Sequence, residues 1–231
     1  MSVRAVEVVV FDVNETLSDL EPLRARLTEG GAPGQLLETW FAATLRDGFA
    51  LTTVGSYASF RQVGTDVLHG LLTGVPGLGR APRDLADHVL DGFSSLDVHP
   101  DVTQGLRLLH DAGLRLVTLT NGATSVSRAL LERAGVSQLF ERQLSVDDAG
   151  RWKPHPDAYR WAAEQCAAEP AAMALIAVHP WDLHGAAAAG MSTGWLDRHR
   201  KPYPRAFTPP TLRATDLATL AGQLIAGTAR S

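Results

Sequence analysis

Cysteine is nearly absent from this chain: of 231 residues only Cys166 carries a thiol, which excludes an intramolecular disulfide. Long apolar runs are missing as well. The longest near the N-terminus, residues 8–11, is too short for a signal or membrane segment, and a cytoplasmic location is expected. There is no excess of basic charge: 21 Lys plus Arg face 25 Asp plus Glu, for a net charge of -4 and a pI near 6.0. Phosphate backbones and anionic membranes are drawn to basic surfaces, so neither nucleic acid nor membrane is an expected partner, and a small molecule is. Two residue types are scarce enough that their positions invite explanation. Lys153 and Lys201 are the only lysines, and Asn14 and Asn121 the only asparagines. Apolar residues, in contrast, make up 45% of the chain, and at this length they can bury a sizeable core. The length suits one α/β domain carrying one smaller insertion.

The run Val6-Glu7-Val8-Val9-Val10-Phe11 is β-branched and almost continuously apolar, as a strand covered on both faces of a parallel sheet must be. It ends at Asp12. From about residue 21 to residue 93 the spacing becomes helical, with Leu36, Leu37, Trp40, Phe41, Thr44 and Leu45 on one stripe, and Tyr57, Phe60, Val63, Val67 and Leu68 on another. Gly- and Pro-rich stretches at 30–34 and 75–82 punctuate these helices, so the segment reads as an all-helical insertion. Beyond Val98-His99-Pro100, helices are expected at 102–112, 125–134, 156–167, 183–189 and 216–225, and strands at 114–119, 142–146, 173–178 and 192–196. Such alternation implies right-handed crossovers and a parallel sheet, in which ligands sit beyond the carboxyl ends of the strands.

Four polar groups fall just after four of these strands: Asp12, Thr120-Asn121, Lys153 and the loop from His179 to Asp182. An aspartate is already ionised at neutral pH and needs no separate base to act as a nucleophile. A hydroxyl and an amide can hold developing charge beside it, and a lysine offsets the charge of clustered acids. Each residue also has a plain structural reading. Asp12 could cap a turn, Thr120-Asn121-Gly122 could form one, Asp182 could be the N-cap of the next helix, Lys153 could be solvated, and His179 could pack in its loop. Asp147 and Asp148 read as a turn before Lys153, and the cap aromatics as core or as an apolar pocket wall.

The order Phe11-Asp12-Val13-Asn14-Glu15-Thr16-Leu17, Leu119-Thr120-Asn121-Gly122, Trp152-Lys153-Pro154 and Trp181-Asp182 resembles the four successive motifs of the haloacid dehalogenase superfamily, over nearly the whole chain. The insertion after the first motif, Tyr57 and Phe60 within it, Tyr159 six residues beyond Lys153, and Gly194-Trp195-Leu196-Asp197-Arg198 are most similar to type II 2-haloacid dehalogenases. The resemblance implies a Rossmann-like parallel-sheet core of residues 1–18 and 98–231 and a helical cap of residues 19–97. It also implies that Asp12 attacks C2 of a 2-halocarboxylic acid with inversion, and that water then cleaves the aspartyl ester. Thr16 and Lys153 would hold the Asp12 carboxylate, Thr120 and Asn121 would bind substrate, and Asp182 would position water. Tyr159 and Asn14 join the site in this reading, no cofactor is required, and a homodimer through the cap is suggested.

Three positions depart from the pattern. Asn14 stands where the phosphatases of the superfamily place a proton-donating aspartate and the dehalogenases a tyrosine. Phe41 stands where the cap arginine of the dehalogenases falls, with Arg46 five residues later as the candidate to reach the same cleft. His179 lies in the loop where they place a serine and an asparagine, and could handle water in the asparagine's stead or mark a different substrate. Two alternatives stay open: a Mg²⁺-dependent phosphatase in which Asp12 becomes a phospho-aspartate and Asp182 helps hold the metal, and a non-catalytic binding protein on the same fold.

Overall fold

A computed structural model describes residues 6–228; the outer ends of the expected core range, 1–5 and 229–231, lie outside them. The chain runs β1 (Val8–Phe11), α1 (Glu21–Glu29), α2 (Leu36–Thr53), α3 (Phe60–Leu72), α4 (Pro82–Asp91), α5 (Val102–Asp111), β2 (Arg115–Thr120), α6 (Thr124–Arg133) and β3 (Phe140–Ser145). It continues through α7 (Val146–Ala149), α8 (Pro156–Gln165), β4 (Met173–Ala177), α9 (Pro180–Ala188), β5 (Ser192–Leu196), β6 (Leu212–Ala214) and α10 (Leu217–Thr228). Six parallel strands form one sheet in the order β3-β2-β1-β4-β5-β6. β1 lies between β2 and β4, with Val10 opposite Val117 on one side and Leu175 on the other, and all four of its residues are buried. Burial on both faces is why this strand shows no polar alternation. Strand order reverses at β1, so Asp12 leaves the sheet where the crossovers diverge and a crevice opens.

The helical insertion comprises α1 to α4. Its chain ends meet: Ser18 bridges Val98, and Asp19 N–H donates to the Asp97 carbonyl at 3.0 Å. α2 buries Leu37, Trp40, Phe41, Thr44, Leu45 and Gly48, and α3 opens on Ser59, whose hydroxyl accepts from Gln62 N–H as an N-cap. Trp40 packs edge-on against Phe41, Phe60 and Phe93, and its indole N–H donates to the Gly64 carbonyl at 2.7 Å. Each such aromatic pair adds about 0.5–1.5 kcal/mol beyond its area burial.

One side chain from the core anchors the insertion. Trp152 is fully buried and stacks on Phe60 at 5.8 Å; its indole N–H reaches the Ala58 carbonyl, and its backbone N–H reaches the Thr52 hydroxyl. α2 can approach the indole only because Gly48 faces it: a Cβ there would overlap the ring. Tyr57 adds a hydroxyl contact to the Asp147 carboxylate across the same junction.

Most expected elements are found, with three corrections. The segment after residue 210 contains a short sixth strand, β6, which pairs with β5. Residues 146–149, read as strand end and turn, form a helical turn capped by Ser145. The helix expected from residue 183 begins at Pro180, where the fixed φ of proline suits a first turn. Asp182 therefore lies inside that turn, and His179 holds the N-cap position without a capping bond.

Candidate active site

β1 ends at Phe11 and delivers Asp12 to the carboxyl rim, where it is 4% exposed. The following loop turns sharply: Glu15 has φ of 61°, in the left-handed region, and His99 Nε2 meets its carbonyl at 3.0 Å. This turn brings the Thr16 hydroxyl back to donate to Asp12 Oδ2 at 2.6 Å, while the same hydroxyl accepts from Val178 N–H at the end of β4. Arg198 holds the turn from the far side through the Thr16 carbonyl at 2.8 Å, with its other arm on Asp101.

Lys153 is wholly buried, and its ammonium donates to Asp12 Oδ1 at 2.9 Å and to Asp182 Oδ2 at 2.6 Å. The other oxygen of Asp182 accepts from the Tyr159 hydroxyl at 2.6 Å. One cation thus serves two buried carboxylates. Burial alone would raise the Asp12 carboxyl, but Lys153, His179 and the Thr16 hydrogen bond outweigh it, and Asp12 sits below the ordinary aspartate value. At Asp182 burial, aided by the charge of Asp12, prevails over Lys153 and Tyr159, and the carboxyl is pushed up. Burial would also lower the lysine, yet the two carboxylates hold Lys153 above its usual value. The nucleophile candidate is the more acidic of the two aspartates, as an anion held ready for attack requires.

Asn121 has a different place from the one expected. Its amide oxygen accepts from Lys153 N–H at 2.9 Å and its amide nitrogen donates to the Lys153 carbonyl at 3.3 Å. The side chain is committed to the lysine's backbone through both its oxygen and its nitrogen. Thr120 accepts from Gly122 N–H at 2.9 Å and lines, together with Asn14, a cleft against α3 and α4.

His179 lies beside Asp12. Its ring is sandwiched between Phe41 at 5.9 Å and Trp181 at 5.1 Å, and Nε2 faces the Asn14 carbonyl at 3.2 Å, with Asp12 Oδ2 and Glu15 Oε2 both at 3.6 Å. Phe41, at the position expected to carry a cap cation, instead packs this histidine. Arg46 does not reach the cleft: its side chain is 72% exposed and paired with Asp47.

Sequence reasoning missed Glu15, Arg198 and Trp152 as supports of the site. The left-handed φ at Glu15 leaves no mark in composition, and the contacts of Arg198 and Trp152 join residues far apart in the chain. It also missed that a cleft of about 450 Å³, between α6 on the core and α3 and α4 on the insertion, adjoins Asn14 and Thr120.

Comparison with known proteins places this geometry. A family model described as haloacid dehalogenase-like hydrolase matches residues 6–190. (S)-2-haloacid dehalogenase 1 of Pseudomonas sp. (strain CBS-3) is 28% identical over 93% of this chain and 95% of its own length. The (S)-2-haloacid dehalogenase of Xanthobacter autotrophicus is 32% identical over 84% of this chain and 76% of its own. The solved structure of L-2-haloacid dehalogenase from Xanthobacter autotrophicus with chloropropionic acid covalently bound superposes with a TM-score of 0.83 at 26% identity, over 95% of this chain and 98% of that one. With four motifs converging on one buried aspartate and with relatives spanning its length, this chain belongs to the haloacid dehalogenase-like hydrolases.

Proposed function

We propose that the protein is a 2-haloacid dehalogenase, converting 2-haloacids to 2-hydroxy acids through an ester at Asp12. The observation that carries this reading is the Lys153 ammonium between Asp12 and Asp182. A lysine in direct contact with both carboxylates offsets part of their charge from within the chain, and all four of their oxygens already receive or face donors. That donor set suits a carbon electrophile better than a phosphate held by a divalent cation, and Asn14 offers no acidic proton to a leaving alkoxide. The Mg²⁺-dependent phosphatase reading loses support on both counts, and the intact Asp12–Thr16–Lys153 arrangement weighs against a non-catalytic binding protein.

In the first step an Asp12 oxygen attacks C2, the carbon–halogen bond breaks, and halide leaves. In the second, water adds to the Asp12 carboxyl carbon, and the 2-hydroxy acid departs with the restored carboxylate behind it. Lys153 and Thr16 orient the carboxylate in both steps, Asn121 holds Lys153, Tyr159 holds Asp182, and Thr120 and Asn14 floor the substrate cleft. The same reading takes residues 19–97 as a cap that excludes water from the first step. It also takes the working form as a homodimer in the cytoplasm; among the described residues no helix is long and apolar enough to cross a membrane.

The test is halide release from 2-chloropropionate and 2-bromopropionate in EDTA, with Asp12 followed by mass spectrometry in ¹⁸O water. Release that survives EDTA, disappears in Asp12→Asn and labels Asp12 is expected. Inert haloacids with turnover of phosphate esters in Mg²⁺ would overturn the reading.

A further inference from the structure

The cleft against α3 and α4 holds about 450 Å³. That lies within the range of pockets that enclose drug-sized ligands, about 300–1,000 Å³, whereas a three-carbon haloacid has only a handful of heavy atoms. Exposure gives the cleft a direction. Its floor at Asn14, two residues past the nucleophile, and at Thr120 is buried, whereas Arg61 and Asp91 at its outer end are more than half exposed. Most of the lining surface is apolar, from Phe60, Leu90 and Phe93 on the insertion and Val126 on α6, with the small hydroxyls of Ser59, Ser94, Ser125 and Ser127 set among them. The charges at the mouth are already satisfied, Arg61 pairing with Asp91 at 2.6 Å and Asp147 meeting the Tyr57 hydroxyl. A mostly apolar cleft that begins at Val13 and Asn14, the residues following Asp12, and reaches a neutralised pair suits an uncharged chain.

We infer that the preferred substrates are 2-haloacids whose C2 substituent is an extended, uncharged alkyl or arylalkyl chain, lying along the Phe60–Leu90–Phe93 wall and ending at the Arg61–Asp91 pair. This inference rests on the dehalogenase reading for its chemistry and on the cleft for its chain length.

Two measurements separate the two. The first is kcat/KM for halide release from 2-bromopropionate, 2-bromobutanoate and 2-bromohexanoate. The second is calorimetric affinity for the 2-hydroxyalkanoates of the same lengths, which needs no turnover. Both are expected to rise with length, by up to about fourfold for each methylene buried. Ser125→Trp and Ser94→Trp place bulk in the cleft from opposite sides, at exposed positions where the fold tolerates it. Each is expected to flatten the rise, so that the long-to-short ratio falls. Affinity that stays level or declines with length in the wild type, or a rise that neither tryptophan changes, would overturn the inference even if bromopropionate reacts. Should no haloacid release halide while hydroxyalkanoate affinity climbs with length and the tryptophans flatten it, the cleft assignment stands and the dehalogenase reading falls.

Discussion

Asn121 grips the peptide of Lys153 from both sides, accepting from its N–H at 2.9 Å and donating to its carbonyl at 3.3 Å. The chain's second asparagine therefore sets the position of its one buried lysine. Asn121→Ala removes both bonds and leaves a buried N–H and carbonyl unpaired, which costs about 1–3 kcal/mol. The expected result is a lowered midpoint in urea unfolding and a fall in kcat of at least tenfold, with KM little changed, because the ammonium loses its register on Asp12. A change confined to KM would mean that Asn121 acts on substrate directly.

Lys153→Met should be far more damaging. It leaves two carboxylates buried without their shared cation, and breaking a buried pair in this way costs about 3–5 kcal/mol. Activity should be undetectable. Lys153→Arg should not restore it, since the planar guanidinium is larger and the surrounding space is filled. Halide release by the arginine variant at wild-type rates would refute the positional role given to Lys153.

Tyr159→Phe keeps the ring and deletes the hydroxyl that donates to Asp182 Oδ1 and reaches the Asp182 carbonyl. The protein should remain folded, with about 1–3 kcal/mol of stability lost. The Asp12 ester should persist longer in quenched-flow mass spectrometry if Asp182 orients the hydrolytic water. Equal ester lifetimes in both proteins would remove Asp182 from the second step.

The pH behaviour follows from the two ends of the Asp12–Lys153 pair. Asp12 is held below the ordinary aspartate value, so its share of stability is full above the unfolded value near 3.9 and fades only as pH falls through the lower folded value. Lys153 is raised, so its share is full below the unfolded value near 10.4 and is lost as pH climbs through the higher folded one. The limb of kcat/KM that reports Asp12 should therefore lie below about pH 4. In Thr16→Val, which deletes a donor to Asp12 Oδ2, that limb should move up; a limb that stays fixed would assign it to another group.

Gly48→Ala tests how the insertion is seated. The added methyl must displace the Trp152 indole or push α2 away, and overpacking of this kind typically costs about 1–3 kcal/mol. Turnover should drop together with the thermal midpoint, and Arg46→Ala on the exposed side of the same helix should change neither. Lost activity in Arg46→Ala would return that residue to the cleft.

Much of this was legible in the chain. Continuous apolar runs mark β1 and β4 because both are covered on two faces, and the four rim groups follow from strand ends. The rest was hidden for identifiable reasons. β6 is three residues long and makes its pairing with β5 only after a proline-rich loop, so it has too little length to show a period. Arg46 was misjudged by helical phase: five residues turn it about 140° from Phe41 around the helix, which carries it off the buried stripe. Asn121 was expected to meet substrate and is instead found on a backbone peptide, since nothing in a Thr-Asn-Gly sequence tells whether the amide faces a ligand or a neighbouring peptide 32 positions ahead.

The meeting of Ser18 and Val98 has a consequence for how such a molecule can change over generations. The segment between them departs from and returns to one isolated bridge outside the sheet, so its two ends are stapled there. Lengthening, trimming or replacing it adds little loop-closure entropy and shifts no strand. Selection can therefore rework the surface of α3 and α4 with the Asp12–Lys153 pair left in place, provided that the seats of Trp152 and His179 on the insertion are kept, as a tool keeps its handle when the blade is exchanged.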